Sequence, residues 1–135
     1  MKVVELARKV SVTPDSVRYY TRIGLLEPHR NRANGYKDYS LRDESRLRFI
    51  LSARQLGFSI QDIQQIVGVA DKGDTPCPLV RELIAQRLAE TEKNFATLLK
   101  LRERMSLAVT RWAQEPNKEP TADMICHLIE DFETS

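Results

Sequence analysis

Long apolar runs are missing from this chain of 135 residues. No stretch approaches the roughly 18 consecutive apolar residues that span a bilayer. Charges are spread through the first ten residues, where a signal peptide would carry an apolar core. We therefore expect a cytoplasmic protein with no membrane partner. Cysteine is also scarce, and two residues far apart in sequence argue against a disulfide framework in such a protein.

The sequence also lacks the common signatures of catalysis. It contains no glycine-rich phosphate loop, no nucleophile with a positioned base and no paired-carboxylate pattern. Its five glycines mostly fall at predicted turns. We therefore predict that the protein is not an enzyme.

The net charge of +2 hides an uneven distribution along the chain. Residues 1–58 carry 12 Lys and Arg against 6 Asp and Glu, whereas residues 59–135 carry 9 against 13. A basic half joined to an acidic half suggests that only the first half meets a polyanion.

Two short helices are predicted near the N-terminus. Apolar residues recur at helical spacing from Val3 to Val10. Thr13 has the chemistry of an N-cap, and Pro14 suits the first position of a second helix that ends at Gly24. Two short helices joined by a tight turn predict a helix-turn-helix. The second would be the recognition helix and would carry these candidate DNA contacts: Ser16, Arg18, Tyr19 and Tyr20.

A basic hairpin is predicted after these helices. A stretch containing Arg30 precedes Asn34-Gly35, a dipeptide typical of two-residue hairpin turns because both positions accept positive φ. Residues 36–39 then have the pattern of a short strand. A basic hairpin beside a recognition helix would form a wing that reaches neighbouring phosphates.

Two capping patterns begin two further helices. Ser40–Asp43 and Ser59–Asp62 both have the S-x-x-D form of a capping box. The second of these helices is predicted to fade near Gly68. Turn-forming residues then mark a linker at residues 71–77, so residues 1–70 are predicted to form one DNA-binding domain.

A long helix is predicted over residues 78–112. Its apolar stripe alternates spacings of four and three residues, which is the pattern of a coiled-coil seam. The stripe consists of Val80, Ile84, Leu88, Thr91, Phe95, Leu98, Arg102, Met105, Val109 and Trp112, in which Thr91 and Arg102 are polar interruptions. A helix of about 35 residues spans roughly 50 Å, and a chain this small has too few other helices to cover the stripe. We therefore predict a homodimer.

These motifs together resemble the MerR family of transcription regulators. Residues 17–26, VRYYTRIGLL, resemble the family's recognition segment, and residues 34–39, NGYKDY, resemble its wing. Residues 53–59, ARQLGFS, and the preceding Phe49-Ile50 resemble its later DNA-binding helices. The resemblance covers about residues 1–70 in detail, and the long helix continues it in architecture.

The resemblance implies a mainly α-helical fold and a mechanism. A winged helix-turn-helix domain would be followed by a helix that forms an antiparallel coiled coil between two subunits, and by an effector loop at residues 113–135. Such dimers bind promoter DNA with an over-long spacer, and the inducer makes them bend and untwist it for RNA polymerase. A moderate bend costs ~1–6 kcal/mol, and the inducer biases the two states only through differential affinity.

Roles for individual side chains follow from the same resemblance. Arg18 and Tyr19 would face the major groove, and Tyr20 would lie close to the DNA backbone. Tyr39 is as open to a role in the core as to one at the DNA, and Tyr20 is somewhat less so. Phosphate contacts are implied for three further residues: Tyr36, Lys37 and Arg54. The chemistry is suitable, because arginine forks onto guanine or phosphate while hydroxyls and lysine position the backbone.

The short C-terminal segment favours a small inducer. The resemblance implies a metal site in which Cys77, at the start of one long helix, joins Cys126 in the loop of the other subunit. The adjacent His127 is a third candidate ligand. The pattern resembles sensors of divalent zinc, cadmium, lead or mercury more than copper(I) sensors. Thiolates suit soft and borderline ions and imidazole suits zinc, and an ion bridging two subunits would couple binding to dimer geometry.

The chain departs from the family's metal sensors at residues 112–117, where one or two further cysteines are usual and none is present. Oxygen donors for a fourth ligand would come from Glu115, Glu119 or Asp123. Two alternatives therefore stay open. One is a thiol-based sensor of oxidants or electrophiles that closes an intersubunit disulfide. The other is a constitutive DNA-binding factor without an inducer, whose cysteines are core residues.

Overall fold

The computed structural model describes residues 1–132, and the predicted winged helix-turn-helix with a long following helix is confirmed. Within these residues the elements are α1 (Val3–Lys9), α2 (Pro14–Arg22), β1 (His29–Arg30), β2 (Lys37–Asp38), α3 (Leu41–Gln55), α4 (Ile60–Asp71), α5 (Cys77–Trp112) and α6 (His127–Glu130). The last three residues of the predicted effector loop lie outside the described residues. The coiled-coil pairing concerns a second copy and stays a prediction.

The chain divides into two compact units, Met1–Arg87 and a second unit that begins at Leu88. The first contains α1 to α4 and both strands, and α5 begins in it. The second contains the rest of α5 and the short α6. None of the helices described over residues 1–132 combines the length and apolarity needed to cross a membrane.

Helices α1 and α2 form the predicted helix-turn-helix. The buried Ala7 of α1 and Val17 of α2 lie in one hydrophobic core. Thr13 caps α2 as predicted, because its hydroxyl oxygen accepts a hydrogen bond from the Ser16 backbone N–H at 3.2 Å. Pro14 begins the helix, where its missing N–H costs no hydrogen bond. The exposed residues of α2 are Asp15, Arg18, Tyr19 and Arg22.

The wing is a two-stranded antiparallel sheet. His29 lies opposite Asp38, and Arg30 lies opposite Lys37. The predicted strand at residues 36–39 is therefore shorter, with only its two central residues paired.

The wing's turn differs from the predicted two-residue Asn-Gly hairpin. Six residues, 31–36, separate the strands. The Asn34 side-chain oxygen accepts a hydrogen bond from the Tyr36 N–H at 2.9 Å, and the Gly35 N–H donates to the Asn31 carbonyl at 2.8 Å. Only Gly35, at φ 73°, takes the positive φ. Asn34 thus acts through its side chain, as asparagine often does in turns.

Both predicted capping boxes are confirmed. The Ser40 hydroxyl accepts from the Asp43 N–H at 3.1 Å, and the Asp43 carboxylate accepts from the Ser40 N–H at 2.9 Å. Ser59 and Asp62 repeat the arrangement at 3.0 and 2.9 Å. These reciprocal bonds satisfy N–H groups at the start of α3 and α4 that lack partners within the helix.

Helix α4 extends further than its sequence predicts. It continues through Gly68 to Asp71, although a glycine inside a helix costs about 1 kcal/mol relative to alanine. Val67 packs against the core, and Arg42 and Arg46 of α3 both form ion pairs with Asp71. These tertiary contacts hold the last turn of the helix.

A single hydrophobic core organises the first unit. Its buried members are Leu6, Ala7, Val17, Leu25, Leu26, Tyr39, Leu47, Ile50, Ala53, Phe58, Ile63, Ile66 and Leu83. Tyr39 is 3% exposed and its hydroxyl lies 2.7 Å from the Thr21 hydroxyl, so it belongs to the core. Tyr20 is half-buried against the same core. Leu83 brings the start of α5 into this unit.

Candidate nucleic-acid interface and sensor residues

A cleft of about 540 Å³ separates the wing from the helix-turn-helix. Among residues 1–132, four cations and no carboxylate line it: Lys2, Arg18, Arg30 and Lys37. The other lining residues are two valines, two tyrosines and a glycine: Val3, Val4, Tyr36, Tyr39 and Gly35. A concave surface with charges of one sign focuses the electrostatic potential and attracts a polyanion.

Arg18 lies on the recognition helix and faces this cleft. It forms an ion pair with Asp15 at 2.9 Å, in which both side chains are more than half exposed. Exposed pairs of this kind contribute about 0.2–1 kcal/mol at most. Arg18 can therefore exchange this partner for a phosphate or a base edge at little cost.

The other predicted contacts of α2 lie outside the cleft lining. The Ser16 hydroxyl is 3.0 Å from the Thr13 hydroxyl, so it already has a partner at the start of the helix. Tyr19 is 39% exposed, and its ring packs edge-on against Tyr20 at 5.3 Å. The Arg22 guanidinium, which sequence reasoning missed, stacks over the Tyr19 ring at 5.7 Å. These contacts fix the ring of Tyr19 on the helix surface.

The tip of the wing exposes Tyr36, whose ring is 61% exposed. The Lys2 ammonium lies 5.1 Å from the centre of this ring. On β2, the Asp38 carboxylate accepts a hydrogen bond from the Met1 amino group at 2.6 Å. This hydrogen bond lowers the pKa of the Asp38 carboxyl. Asp38, the acidic residue of the wing, is thus ion-paired with Met1. Among residues 1–132, no carboxylate in the lining of the cleft competes for its cations.

Arg54 has a structural partner. Its guanidinium donates a hydrogen bond to the Phe58 carbonyl at 2.9 Å and so closes the turn between α3 and α4. Five N–H donors on a guanidinium leave several free for a phosphate. Of the predicted DNA contacts, the cleft brings together Arg18, Arg30, Tyr36 and Lys37, and it does not include Ser16, Tyr19, Tyr20 and Arg54.

Cys77 is the first residue of α5 and is exposed. Its backbone N–H donates to the Thr75 hydroxyl at 3.3 Å, which ties the preceding loop to the start of the helix. The side chain of Cys77 is therefore accessible to an ion or to a partner subunit.

Cys126 precedes α6 and is half-buried. Its backbone N–H donates to the Glu130 carboxylate at 2.7 Å, and the Ile125 N–H donates to the same oxygen at 3.0 Å. Glu130 was missed by sequence reasoning; it is the acidic residue in the first turn of α6. The bond fixes the backbone that carries the thiol.

His127 is buried, at 5% exposed, and its Nε2 atom lies 2.9 Å from the Pro116 carbonyl oxygen. When Nε2 donates this hydrogen bond, Nδ1 keeps the lone pair of the ring. A small cavity of about 120 Å³ borders the imidazole, and Glu115, one of the predicted oxygen donors, lines it. The side chains of Trp112 and Phe132 meet there at 5.8 Å.

A metal site within one chain is not formed. Over residues 1–132, no three His, Cys, Asp or Glu side chains cluster so that they could hold an ion. The predicted site takes Cys77 from one subunit and Cys126 with His127 from the other, so a single chain does not test it.

The predicted seam of α5 is largely uncovered within the second unit. Five large apolar members are 57–70% exposed: Leu88, Phe95, Leu98, Met105 and Val109. Val80 and Ile84, at the start of the stripe, pack partly against the core of the first unit. Trp112, at its end, is half-buried and meets Phe132. The exposed part of the stripe is therefore its middle.

Two family models match the chain. The one described as MerR HTH family regulatory protein matches residues 1–68, and the one described as MerR, DNA binding matches residues 44–107. Together they cover both strands, α1 to α4 and most of α5.

Named relatives cover most of the chain. The HTH-type transcriptional regulator ZntR of Escherichia coli K12 is 35% identical over 98 residues, which are 72% of this chain and 70% of that protein. The mercuric resistance operon regulatory protein of Bacillus cereus is 30% identical over 104 residues, 77% and 78% of the two chains. A solved transcription regulator of Ralstonia metallidurans in complex with lead(II) aligns with TM-score 0.74 at 20% identity, covering 98% and 99%. Its fold therefore extends over nearly the whole chain.

Proposed function

The chain belongs to the MerR family of DNA-binding transcription regulators, and we propose that it controls a promoter in response to a divalent heavy-metal ion. The placement of its thiols is the observation that supports this proposal. Cys77 is exposed at the first residue of α5, and Cys126 with His127 follows the end of that helix. A relative of 30% identity bears a name that refers to mercuric resistance. Such a regulator works in the cytoplasm and has no catalytic step of its own.

The cationic cleft is proposed as the main DNA contact. Arg18, on the recognition helix, would reach a guanine edge or a phosphate, and Arg30 and Lys37 would bind backbone phosphates from the wing. The exposed hydroxyl of Tyr36 suits a phosphate at the wing tip. The four predicted residues outside the cleft would make further contacts to the DNA: Ser16, Tyr19, Tyr20 and Arg54.

A homodimer is proposed because the middle of α5 leaves an apolar stripe exposed, interrupted only by Thr91 and Arg102. Its members repeat at alternating intervals of four and three residues, which suits knobs-into-holes packing with a second helix. A second copy in antiparallel orientation would cover the stripe and bring the start of one α5 towards the end of the other. Cys77 of one subunit would then approach the loop that holds Cys126 of its partner.

The ligand chemistry is consistent with zinc, cadmium, lead or mercury. Two thiolates suit borderline and soft ions, and Nδ1 of His127 would supply a nitrogen. A ligating histidine commonly donates its other ring N–H to a backbone carbonyl, as Nε2 does to Pro116. Glu115 or water would complete a four-coordinate site.

The switch is proposed to act through the geometry of the dimer. An ion held by both subunits stabilises the arrangement in which the two recognition helices deform the DNA, at a bending cost of about 1–6 kcal/mol. The bend and untwisting would align over-spaced promoter elements for RNA polymerase. The ion can shift the dimer towards the DNA-deforming arrangement only by binding it more tightly than the other arrangement. The ratio of the two affinities therefore sets the size of the change in promoter output.

Metal stoichiometry of the reduced protein tests this function. Zinc, cadmium, lead and mercury ions are titrated against the wild type, Cys77→Ser, Cys126→Ser and the control His29→Gln, whose ring is exposed on the wing. We expect one ion per chain in the wild type and the control and none in either cysteine variant. Absence of binding at micromolar metal, or full binding by both cysteine variants, would contradict the proposal.

A thiol-based sensor is the second candidate, and the exposure of Cys77 favours it. Oxidation by diamide, which takes up the two thiol hydrogens, would then join Cys77 to the partner's cysteine in a dithiothreitol-reversible dimer. Non-reducing electrophoresis detects this species. A third outcome, unchanged promoter output in the Cys77→Ser and Cys126→Ser variants under metal and oxidant, would indicate a constitutive DNA-binding factor.

A further inference from the structure

The backbone before α1 is anchored beside the wing. The Tyr39 N–H donates to the Met1 carbonyl at 2.7 Å, and the Met1 nitrogen donates to the Tyr39 carbonyl at 2.8 Å. The Leu6 N–H then donates to the Lys2 carbonyl at 3.0 Å and begins the helix. Lys2 is therefore held on both sides by main-chain hydrogen bonds, next to the end of β2.

The Lys2 side chain extends over the wing tip. Its ammonium lies 5.1 Å from the centre of the Tyr36 ring, a distance at which a cation is attracted to an aromatic face. The contact leaves the ammonium charge available to a further partner, because it is not an ion pair and Tyr36 is 61% exposed. Within the described part of the chain, no carboxylate lines the cleft that Lys2 shares with the wing.

The lining of the cleft fits one kind of ligand best. Its apolar surface, which includes Val3 and Val4, suits the carbon face of a deoxyribose. The cations at its sides suit phosphates on either side of that sugar. A length of sugar-phosphate backbone presents both features together.

We propose that Lys2 binds a phosphate of the DNA backbone and forms, with Arg18, Arg30 and Lys37, one four-cation backbone site. This inference rests on the proposed DNA-binding function and extends it to a residue outside the helix-turn-helix and the wing. Lys2 acts together with Tyr36, whose ring positions the ammonium at the mouth of the cleft. At Arg18 the phosphate takes the place of Asp15, an exposed partner that is lost at little cost.

The salt dependence of duplex binding measures this contact. Fluorescence anisotropy on a labelled mixed-sequence duplex of about 30 base pairs follows the affinity of wild type, Lys2→Gln, Lys2→Arg and Lys100→Gln as salt is raised. Each neutralised phosphate contributes about 0.9 to the slope of log affinity against log salt. We expect Lys2→Gln to lower the slope by about 0.9 per chain and Lys2→Arg to keep it. Lys100→Gln, the same change at an exposed site on α5, should leave it unaltered.

The outcomes separate this inference from the function on which it rests. An unchanged slope in Lys2→Gln, with a lowered slope in Arg30→Gln, would overturn the role of Lys2 and leave DNA binding intact. An equal fall in Lys2→Gln and Lys100→Gln would also overturn it, since a general charge effect would then explain both. A wild type that binds no duplex at low salt would contradict the DNA-binding function itself.

Discussion

Replacing Leu98 by alanine weakens the proposed dimer by an amount that the structure allows us to estimate. Leu98 lies in the middle of the seam on α5 and is 63% exposed in a single chain. The substitution removes three carbons, worth about 0.8 kcal/mol each when fully buried. Because about two thirds of the residue is open to a partner, the loss is about 1.5 kcal/mol per chain and about 3 kcal/mol per dimer. The dimer dissociation constant should therefore rise roughly 100-fold.

Sedimentation equilibrium on the reduced, metal-free protein measures this constant without DNA. Leu56→Ala is the matched control, because Leu56 is 67% exposed at the end of α3 and lies outside the seam. We expect the control to dimerise like the wild type. An unchanged constant in Leu98→Ala, or an equal rise in the control, would refute the assignment of the seam. A wild type that stays monomeric at all concentrations would refute the dimer.

Three further predictions concern the caps, an ion pair and the sensor loop. Ser40→Ala should cost about 1 kcal/mol of stability and lower the melting temperature by roughly 4 °C, because it removes one side of the first capping box; circular dichroism measures the change. The hydrogen bond from Lys9 lowers the pKa of Glu44, so this group stabilises the fold above its unfolded pKa and loses that effect as pH falls through the folded pKa. Lys9→Met should raise the Glu44 pKa in a carboxyl NMR titration, and an unchanged value would contradict this cause. His127→Gln can still donate to the Pro116 carbonyl but offers no imidazole, so calorimetry should find weaker metal binding with unchanged thermal unfolding; unchanged affinity would exclude the ring as a ligand.

The helix starts could be predicted because their signals are short-range. A serine and an aspartate three residues apart contain the whole capping box, and the hydrogen bonds at Ser40 and Ser59 confirm it. The same holds for Thr13 before Pro14. The long helix was equally accessible, since its stripe repeats over ten positions and needs no knowledge of other elements.

Features that depend on tertiary contacts could not be predicted in detail. Helix α4 passes Gly68 because Asp71 at its end pairs with arginines of α3, which are 25 residues or more away in sequence. The wing turn follows the Asn34 side chain instead of the φ preference of the Asn-Gly pair. The sequence leaves the role of Tyr39 open, and the contact of its hydroxyl with Thr21 assigns it to the core.

The candidate site divides in the same way. Arg18, Arg30, Tyr36 and Lys37 follow from the motifs that contain them, and the cleft brings them together. Lys2 was missed because its partner is 34 positions further along the chain, and nothing in its local sequence indicates that contact. The metal ligands stay a prediction because they depend on where a second copy binds.

A complementation experiment tests the intersubunit metal site most directly. Cys77→Ser and Cys126→Ser homodimers are mixed, allowed to exchange subunits, reduced and titrated with cadmium. In a two-fold dimer with shared sites, each mixed dimer regains one intact Cys77–Cys126 pair, so about half of the dimers should bind one ion each. Each variant alone should bind none. No recovery of binding in the mixture, although subunit exchange is complete, would contradict a site built from both subunits.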